Sequence, residues 1–294
     1  MKMSSNLVRD CRRHYASELE KIYDSDEANA LIMILLEHYF GIDRVKMALE
    51  PELRLSESEL LTLHFGVKEL LKNKPIQYVI GETEFCGMRF FVEEGVLIPR
   101  PETEELVNKL AVSSCQLAAD PSPSFRIIDI GTGSGCIAIS LAKLLKDSVV
   151  TAVDVSEKAL EIAKKNAEAN GVDVQFVLDD ILNPKKPELI DNQYDIIVSN
   201  PPYVCESEKK EMRANVLDYE PSSALFVSDN DPLIFYRKIL EFAQKTLKPD
   251  GQVWFEINEK FGKEMINLCH EKGFKNVEII KDFREKDRIL KADL

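Results

Sequence analysis

The chain of 294 residues lacks an apolar run long enough to cross a membrane. Its longest run, ALIMILL, is far shorter than the roughly 20 apolar residues that a transmembrane helix needs. The first residues, MKMSSNLVRDCRRHYASELE, also lack the apolar core of a signal peptide. We therefore expect no membrane partner and a cytoplasmic location.

Clustered cysteines and histidines are missing as well. The six cysteines, at positions 11, 86, 115, 136, 205 and 269, form no close pair, and the four histidines show no metal-ligand spacing. Disulfide frameworks and zinc sites both depend on such clusters. The sequence thus predicts neither a disulfide framework nor a metal site, and it favours a reducing compartment.

An excess of positive charge is also absent. The chain has 51 acidic and 38 basic side chains, which gives a formal net charge of -13. Proteins that bind nucleic acids usually present a basic surface that neutralises phosphates. Only RDCRRH is locally basic, and a small patch of this kind is usually solvated surface. We expect no direct nucleic-acid binding, although these totals leave room for a local basic groove.

The N-terminal part contains short amphipathic helical patterns, between residues 4 and 73. SDEANALIMILLEHYFG places its apolar residues on one face and stops at Gly41. SESELLTLHFGVKELLKN opens with Ser56 and Glu59, which form a capping box. Residues 1–74 are therefore predicted to form a helical bundle. It would serve either as a stabilising cap or, as we expect, as a docking domain for a substrate protein.

The character of the sequence changes at Lys74-Pro75. From Ile76 onward it has β-forming residues punctuated by Gly81, Gly87 and Gly95, which predicts a β-hairpin linker over residues 75–95. PRPETEELV then begins a helix, with Pro101 in its first turn, and ADPSPS (residues 119–124) predicts a loop. Residues 96–294 would form the main domain.

From Phe125 onward, strands and helices alternate. The predicted helices are CIAISLAKLLK, SEKALEIAKKNAEANG, DPLIFYRKILEFAQKTLKPDG and FGKEMINLCHEKG. The predicted strands are FRIIDIG, SVVTAVDV, VDVQFVLDD, YDIIVSN, QVWFEIN, residues 276–281 and residues 287–292. This alternation predicts an α/β fold with a doubly wound, mostly parallel sheet and helices on both faces.

The loop DIGTGSG, from Asp129 to Gly135, joins the first strand of this sheet to its first helix. Glycines let the backbone turn sharply and let a ligand lie against it. Asp154 ends the second strand, where an acid usually binds the ribose hydroxyls of a nucleoside, and Asp180 ends the third, where it could accept from an exocyclic amine.

A dehydrogenase dinucleotide site is the rival interpretation of this loop. Its spacing, however, is G-x-G-x-G rather than G-x-G-x-x-G, and Asp129 would repel a pyrophosphate. S-adenosylmethionine has no phosphate and carries an ammonium and a sulfonium. Three carboxylates around a glycine loop favour that cofactor.

The strand IIVS ends at the turn NPPY, because Pro201 and Pro202 have no N–H group to donate to a neighbouring strand. The Asn200 side-chain oxygen and the Pro201 carbonyl could accept hydrogen bonds from a planar NH2 group, and Tyr203 could stack on that group. These contacts would orient the nitrogen toward a sulfonium methyl group and stabilise the positive charge that develops on the nitrogen. The turn predicts methyl transfer to an amino or amide nitrogen, with no metal and no strong base.

At these residues the chain resembles the N5-glutamine methyltransferase family that modifies peptide-chain release factors (the HemK/PrmC type). The segments that carry the resemblance, in the family's order, are PIQYVIGETEFCGMRFFVEEGVLIPRPETEELV, DIGTGSGCIAISLA, AVDVSEKALEIAKKNA, VSNPPYV and YEPSSAL. NPPY is shared with DNA adenine and RNA guanine methyltransferases, whereas LIPRPETE and YEPSSAL are more specific to this family. A Rossmann-like, class I S-adenosylmethionine-dependent domain behind a helical bundle and a hairpin is the architecture that the resemblance implies.

The resemblance also implies a substrate and a set of contacts. The acceptor would be the glutamine in the Gly-Gly-Gln motif of class I release factors. The implied cofactor contacts are Gly131, Thr132, Gly133, Ser134, Gly135, Asp154 and Asn200. The implied contacts to the glutamine amide are Asn200, Pro201, Pro202 and Tyr203, with Arg100, Pro101 and Thr103 beside the active site. LFVSDNDPL and DFREKDRIL lack glycines that are usual in the family, which bears on the shape of those loops.

Two other functions stay open from the sequence. One is an amino-methyltransferase that acts on a ribosomal-protein glutamine or on a nucleic-acid base, and the other is a nucleotide-binding module without catalysis. The acidic charge disfavours a nucleic-acid substrate, and an intact NPPY turn disfavours a non-catalytic module. We expect a monomer.

Overall fold

A computed structural model describes residues 5–117 and 125–294, and the side chains of all of these except residues 115–117. The loop predicted over residues 119–124 therefore lies outside the described residues. Within the described residues, no helix combines the length and the apolar character that a bilayer crossing requires.

The chain forms two compact units. The first consists of Met1–Gly81 and Arg213–Tyr219, and the second of Glu82–Met212 and Glu220–Leu294. This division assigns residues 75–81 to the first unit, rather than to a linker that begins at residue 75. It also assigns to that unit a short segment that the sequence analysis placed in the main domain.

The first unit is helical. Its helices are α1 (Val8–Leu19), α2 (Ser25–Phe40), α3 (Arg44–Leu49), α4 (Glu57–Leu70), α5 (Ile76–Ile80) and α10 (Ala214–Tyr219). The capping box predicted at the start of α4 is confirmed, because Ser56 N donates to Glu59 Oε2 at 2.7 Å and Glu59 N donates to Ser56 Oγ at 3.3 Å. Gly41 ends α2 in a left-handed conformation, as predicted.

The β-hairpin is shorter than the sequence predicts. Its strands are β1 (Glu82–Phe85) and β2 (Met88–Phe91), which pair antiparallel around a Cys86-Gly87 turn. Residues 76–80, which the composition assigned to β structure, are helical instead. Pro75 presets the backbone at the start of this turn of helix and Gly81 ends it, so the flanking residues override the β propensity of Ile76, Val79 and Ile80.

The second unit contains a seven-stranded sheet. Its strands are β3 (Arg126–Ile130), β4 (Val149–Asp154), β5 (Gln175–Leu178), β6 (Tyr194–Ser199), β9 (Leu247–Glu256), β10 (Lys275–Lys281) and β11 (Asp287–Asp293). The order is β10-β11-β9-β6-β3-β4-β5, and β11 runs antiparallel to the other six strands. The predicted mostly parallel α/β sheet is confirmed. A small parallel pair, β7 (Val204–Cys205) with β8 (Phe226–Val227), follows β6.

Helices cover both faces of the large sheet. They are α6 (Pro101–Leu117), α7 (Cys136–Leu144), α8 (Glu157–Asn170), α9 (Pro187–Ile190), α12 (Ile234–Thr246) and α13 (Gly262–Glu271). A further short helix, α11 (Ser222–Leu225), precedes β8. Consecutive residues of β3 face opposite sides, so Ile127 joins the core under α6 and α7 whereas Ile128 joins the core under α12 and α13. Both faces are apolar, as a parallel sheet requires.

Strand β9 begins earlier than predicted. The sequence analysis extended the preceding helix through Lys248–Gly251, but α12 ends at Thr246 and β9 begins at Leu247. The pairing with β6 jumps from Leu247 to Gln252, so the intervening residues bulge out of the ladder. Pro249 cannot donate a ladder hydrogen bond, and a bulge accommodates it without loss.

Candidate active site

The glycine loop after β3 is held against the next strand. Gly131 N and Thr132 N both donate to Val153 O, at 2.8 and 3.0 Å. Gly133 N donates to Asp154 Oδ2 at 2.8 Å. Gly131, Gly133 and Gly135 all have positive φ, which glycine adopts without strain. The loop therefore presents bare backbone at the carboxyl ends of β3 and β4.

Asp129 lies fully buried beneath this loop. Its Oδ2 accepts from the Thr132 hydroxyl at 2.6 Å and from Ala138 N at 3.2 Å, whereas Oδ1 has no hydrogen-bond partner among the described residues. Burial raises the pKa of Asp129 from 3.8 to about 7. A buried carboxylate oxygen without a donor is suited to a cationic group. Thr132 and Ser134 are themselves buried, so their side chains support the loop from within.

A large cavity opens at this edge of the sheet. Among its lining residues are seven that the sequence predicts for the site, at the carboxyl ends of four strands: Gly131, Gly133, Asp154, Asp180, Asn200, Pro201 and Pro202. Asp154 Oδ1 accepts from Ser156 N at 2.9 Å, so both of its carboxylate oxygens are anchored by backbone N–H groups. Burial raises the pKa of Asp154.

Asp180 is also fixed by backbone contacts, since its Oδ1 accepts from Leu182 N at 2.9 Å. The neighbouring Asp179, which the sequence analysis did not select, lines the same cavity and holds the following turn. Its Oδ1 accepts from Asp180 N at 3.0 Å, and its Oδ2 accepts from Lys185 N and Lys186 N at 2.9 and 3.0 Å. Two adjacent acids at a strand end look alike in sequence, and only their contacts separate them.

A smaller cavity lies next to the larger one. It is lined by Leu97, Arg100, Asn200, Pro201, Tyr203, Val204, Ala224, Leu225 and Glu256. Leu97, Asn200, Pro201 and Ala224 line both cavities, and Pro202 faces the larger one. The two cavities therefore meet at the Asn-Pro step of the NPPY turn.

Asn200 is held from behind by a chain of hydrogen bonds. Its Nδ2 donates to Thr103 Oγ1 at 3.1 Å, and the Thr103 hydroxyl donates to Glu256 Oε2 at 2.6 Å. The Tyr203 hydroxyl donates to the other oxygen, Glu256 Oε1, at 2.8 Å. Thr103 is buried, so it supports Asn200 instead of facing the cavity. Burial raises the pKa of Glu256 and raises the pKa of Tyr203 well above its usual value.

Sequence reasoning missed Glu256, although one clue was available. Glu256 is the last residue of β9, which lies parallel and adjacent to β6. Carboxyl ends of neighbouring parallel strands share one rim, so a polar residue at the end of QVWFE was a candidate by the same rule that selected Asp154.

Arg100 lines the smaller cavity and forms an ion pair with another missed residue. Arg100 Nη2 donates to Glu220 Oε1 at 2.6 Å, and Glu220 Oε2 accepts from Ile98 N at 3.1 Å. Glu220 belongs to the YEPSSAL segment, and only 1% of its side chain is exposed. The pair joins that segment to the stretch before α6, beside Asn200.

The described residues contain no group of three or more His, Cys, Asp or Glu side chains placed to hold a metal ion. The side chains and backbone groups that line the two cavities include carboxylates, carbonyls, an amide and a phenol.

Comparisons with known proteins bear on the family of this chain. Family models match residues 10–81 as "PrmC N-terminal domain" and residues 108–219 as "Methyltransferase small domain". The chain is 46% identical to the release factor glutamine methyltransferase of Flavobacterium psychrophilum, over 98% of this chain and 99% of that one. It is also 46% identical to that of Bacteroides thetaiotaomicron, over 94% and 96%.

Among solved structures, a 16S rRNA N2 G1207 methyltransferase of T. Thermophilus in complex with AdoMet and guanosine superposes with a TM-score of 0.50. That structure is 20% identical and covers 72% of this chain and 49% of its own, so it supports the fold alone. The near full-length relatives decide the family: this chain belongs to the release factor glutamine methyltransferases.

Proposed function

We propose that this chain transfers a methyl group from S-adenosylmethionine to the side-chain amide nitrogen (N5) of the glutamine in the Gly-Gly-Gln motif of class I release factors. The observation that carries the proposal is the meeting of two cavities at Asn200 and Pro201. The larger cavity is lined by acids suited to a cationic nucleoside, and the smaller by acceptors suited to a carboxamide.

The larger cavity fits S-adenosylmethionine, which would supply an electrophilic methyl group on a positively charged sulfur. Asp154 would bind the ribose hydroxyls, and Asp180 would accept from the adenine amine. Asp129 Oδ1, which has no hydrogen-bond partner among the described residues, would stabilise the cationic amino-acid end from beneath Gly131 and Gly133, which line the cavity. The solved relative that carries AdoMet supports this choice of cofactor at the level of the fold.

The smaller cavity fits a glutamine side chain. Asn200 donates its NH2 group inward to Thr103, which leaves Asn200 Oδ1 free to accept from a substrate NH2 group. The Pro201 carbonyl would accept the second hydrogen, and the Tyr203 ring would cover the amide plane. Positive charge develops on the nitrogen as it attacks the methyl carbon, and these oxygens stabilise it. The proton leaves after transfer, so no strong base is required.

Parallel labelling reactions test the substrate. Full-length protein is incubated with methyl-labelled S-adenosylmethionine and, separately, with an unmodified class I release factor, ribosomal protein or duplex DNA. We expect label in the release factor alone. Label in ribosomal protein or in DNA, with none in the release factor, would replace the proposed substrate with one of those two.

A further inference from the structure

Among the described residues, Glu256 is the one carboxylate in the wall of the smaller cavity. It is 1% exposed and ends β9 beside the end of β6. Its two oxygens accept from two different hydroxyls, those of Thr103 and Tyr203. Its own backbone carbonyl accepts from the Tyr236 hydroxyl at 2.9 Å. Both the side chain and the backbone of Glu256 are therefore fixed.

With Glu256 ionised, the hydrogen inventory of this cluster allows one arrangement. An ionised carboxylate can only accept, so the Thr103 hydroxyl must give its single hydrogen to Glu256 Oε2. The Thr103 oxygen then has only lone pairs to offer its other neighbour, which is Asn200. The Asn200 amide must therefore present its NH2 group to Thr103, and its Oδ1 is left on the cavity side.

We infer that Glu256 is a positioning residue that sets the direction of the Asn200 amide through Thr103, and so makes the site select a carboxamide over a carboxylate. The inference rests on the proposed function, since it concerns the acceptor of that same reaction. With Oδ1 toward the cavity, Asn200 accepts from an amide NH2 group and repels a carboxylate oxygen. With the amide reversed, its NH2 group would bind a carboxylate and would point donors at the nitrogen that must attack.

The arrangement separates glutamine from glutamate, which have nearly the same shape. A site built to accept hydrogens from NH2 rejects an analogue without them, because its buried acceptors are then left unpaired. Arg100 lines the same cavity, and the buried Glu220 carboxylate offsets its charge through the ion pair at Nη2.

Three substitutions in the full-length protein test the inference. Glu256→Gln keeps the size and replaces one acceptor with a donor. Thr103→Val keeps the shape of the side chain at position 103 and leaves Glu256 unchanged, but it breaks the hydrogen-bond relay from Glu256 through Thr103 to Asn200. Thr103→Ser keeps the hydroxyl and serves as the matched control. We expect Glu256→Gln and Thr103→Val each to lower kcat on release factor by 10- to 100-fold, with the S-adenosylmethionine Kd within threefold of wild type. Thr103→Ser should recover most of the kcat that Thr103→Val loses.

The double variant separates a relay from two independent effects. If both residues act through Asn200, Glu256→Gln with Thr103→Val should cost no more than about threefold beyond the worse single variant. Costs that multiply would overturn the relay, as would a kcat within twofold of wild type for Thr103→Val. Thr103→Val alone decides the matter should Glu256→Gln fail to fold.

A measurement without substrate keeps the inference distinct from the proposed function. The side-chain NH2 signal of Asn200 in ¹H–¹⁵N NMR is assigned by its loss in Asn200→Ala. We expect hydrogen exchange of this group to be at least tenfold faster in Thr103→Val than in wild type, and close to wild type in Thr103→Ser. Equal exchange in all three would overturn the relay. A wild-type protein that shows the protected signal but does not label release factor would instead refute the proposed function.

Discussion

Each side chain at the site either faces a cavity or holds in place a side chain that does. Asp154, Asp180, Asn200 and Tyr203 line the two cavities, whereas Thr103 is buried among the groups that orient them. Substituting a facing residue should change one kinetic constant, and substituting a supporting residue should act through the residue that it holds.

Replacement of Asn200 by alanine removes the side-chain acceptor at the junction of the cavities. We expect kcat to fall by about 10²- to 10³-fold, the usual cost of losing one preorganised polar contact to the transition state. Affinity for S-adenosylmethionine, measured by calorimetry, should change little, because most of the cofactor's proposed contacts come from other residues. A variant that methylates release factor at the wild-type rate would contradict the role of Asn200.

The raised pKa of Asp129 predicts a pH dependence of cofactor affinity. With a pKa of about 7 in the free protein, this carboxyl is largely protonated at pH 6 and largely ionised at pH 8. On the proposed assignment, the cationic end of the cofactor would favour the ionised form of Asp129, so cofactor affinity should rise with pH and level off above pH 7. Calorimetry of wild type from pH 5.5 to 8.5 should show this rise, and Asp129→Asn should bind more weakly with little pH dependence. Parallel profiles for the two proteins would contradict the assignment.

The same pKa predicts an opposite trend for the cofactor-free fold. Between the unfolded value of 3.8 and the folded value of about 7, the folded protein binds more protons than the unfolded chain, so its stability falls as pH rises. The shift corresponds to at most roughly 4 kcal/mol. Urea unfolding at pH 6 and pH 8 should therefore show Asp129→Asn gaining stability relative to wild type as pH rises. A constant difference would show that Asp129 does not titrate in this window.

Sequence reasoning selected the facing residues better than the supporting ones. Asp154, Asp180 and Asn200 each follow a recognisable strand, and strand ends of a parallel sheet meet at one rim. Glu256 and Glu220 were missed because their roles come from partners 153 and 120 positions away in sequence, Thr103 and Arg100. No local pattern records which distant hydroxyl or guanidinium a carboxylate will meet.

The glycine loop forms part of the wall of the larger cavity, and two of its glycines are required for different physical reasons. Gly133 has a φ of 56°, and a Cβ built there would meet no heavy atom of the described structure within 4 Å. Gly135 has a φ of 82°, and its Cβ would lie 2.8 Å from Ile139 Cδ1 and 3.0 Å from Ala163 Cβ. The first faces the cavity and the second packs against α7 and α8.

A matched pair of alanine substitutions should separate these two requirements. Both variants bear the cost of a positive φ, roughly 1–2 kcal/mol. Gly135→Ala should lose roughly 1–3 kcal/mol more through overpacking, measured by urea unfolding. Gly133→Ala should instead lose mainly cofactor affinity, because its methyl group projects toward the ligand. The assignment would fail if Gly133→Ala were the less stable of the two and bound cofactor normally.

Element types followed from the sequence wherever the apolar pattern was strong. Helices α8 and α13 have apolar residues at helical spacing, whereas strands β3, β4 and β6 are short, nearly continuous apolar runs of the kind that a parallel sheet buries on both faces. The prediction failed at residues 76–80 and at Lys248–Gly251, where β-branched residues or a Lys-Pro-Asp-Gly turn admit two structures. Pro75 and Gly81 favour the helix at residues 76–80, and Pro249 favours a bulge within β9. A local window shows these residues but not the packing that selects one structure over the other.

Each of the two units has its own hydrophobic core. The buried core residues of the first unit lie between Val8 and Leu70, and those of the second between Phe85 and Ala292. A unit with its own core is able to fold alone. The α/β fold and the family could be predicted from the sequence, whereas the assignment of Arg213–Tyr219 to the first unit could not. Arg213 forms an ion pair with Glu27, and the Tyr219 hydroxyl donates to Lys72 O. No sequence pattern predicts these two contacts.

The docking role of the N-terminal bundle remains a proposal that deletion can test. Removal of residues 1–73 should leave S-adenosylmethionine affinity unchanged, because all residues of the larger cavity lie beyond Glu94. The KM for intact release factor should rise at least tenfold, while kcat/KM on a short Gly-Gly-Gln peptide should stay within threefold. An unaltered KM for release factor in a folded truncation would leave the bundle with a stabilising role alone.

The central claim concerns which atom receives the methyl carbon of S-adenosylmethionine. Full-length protein is incubated with S-adenosylmethionine labelled at the methyl carbon with ¹³C and with unmodified class I release factor, and the product is mapped by tandem mass spectrometry and NMR. The account predicts a single labelled methyl group, bonded to the side-chain nitrogen of the Gly-Gly-Gln glutamine. Label on another residue, or on another atom of that glutamine, would contradict it.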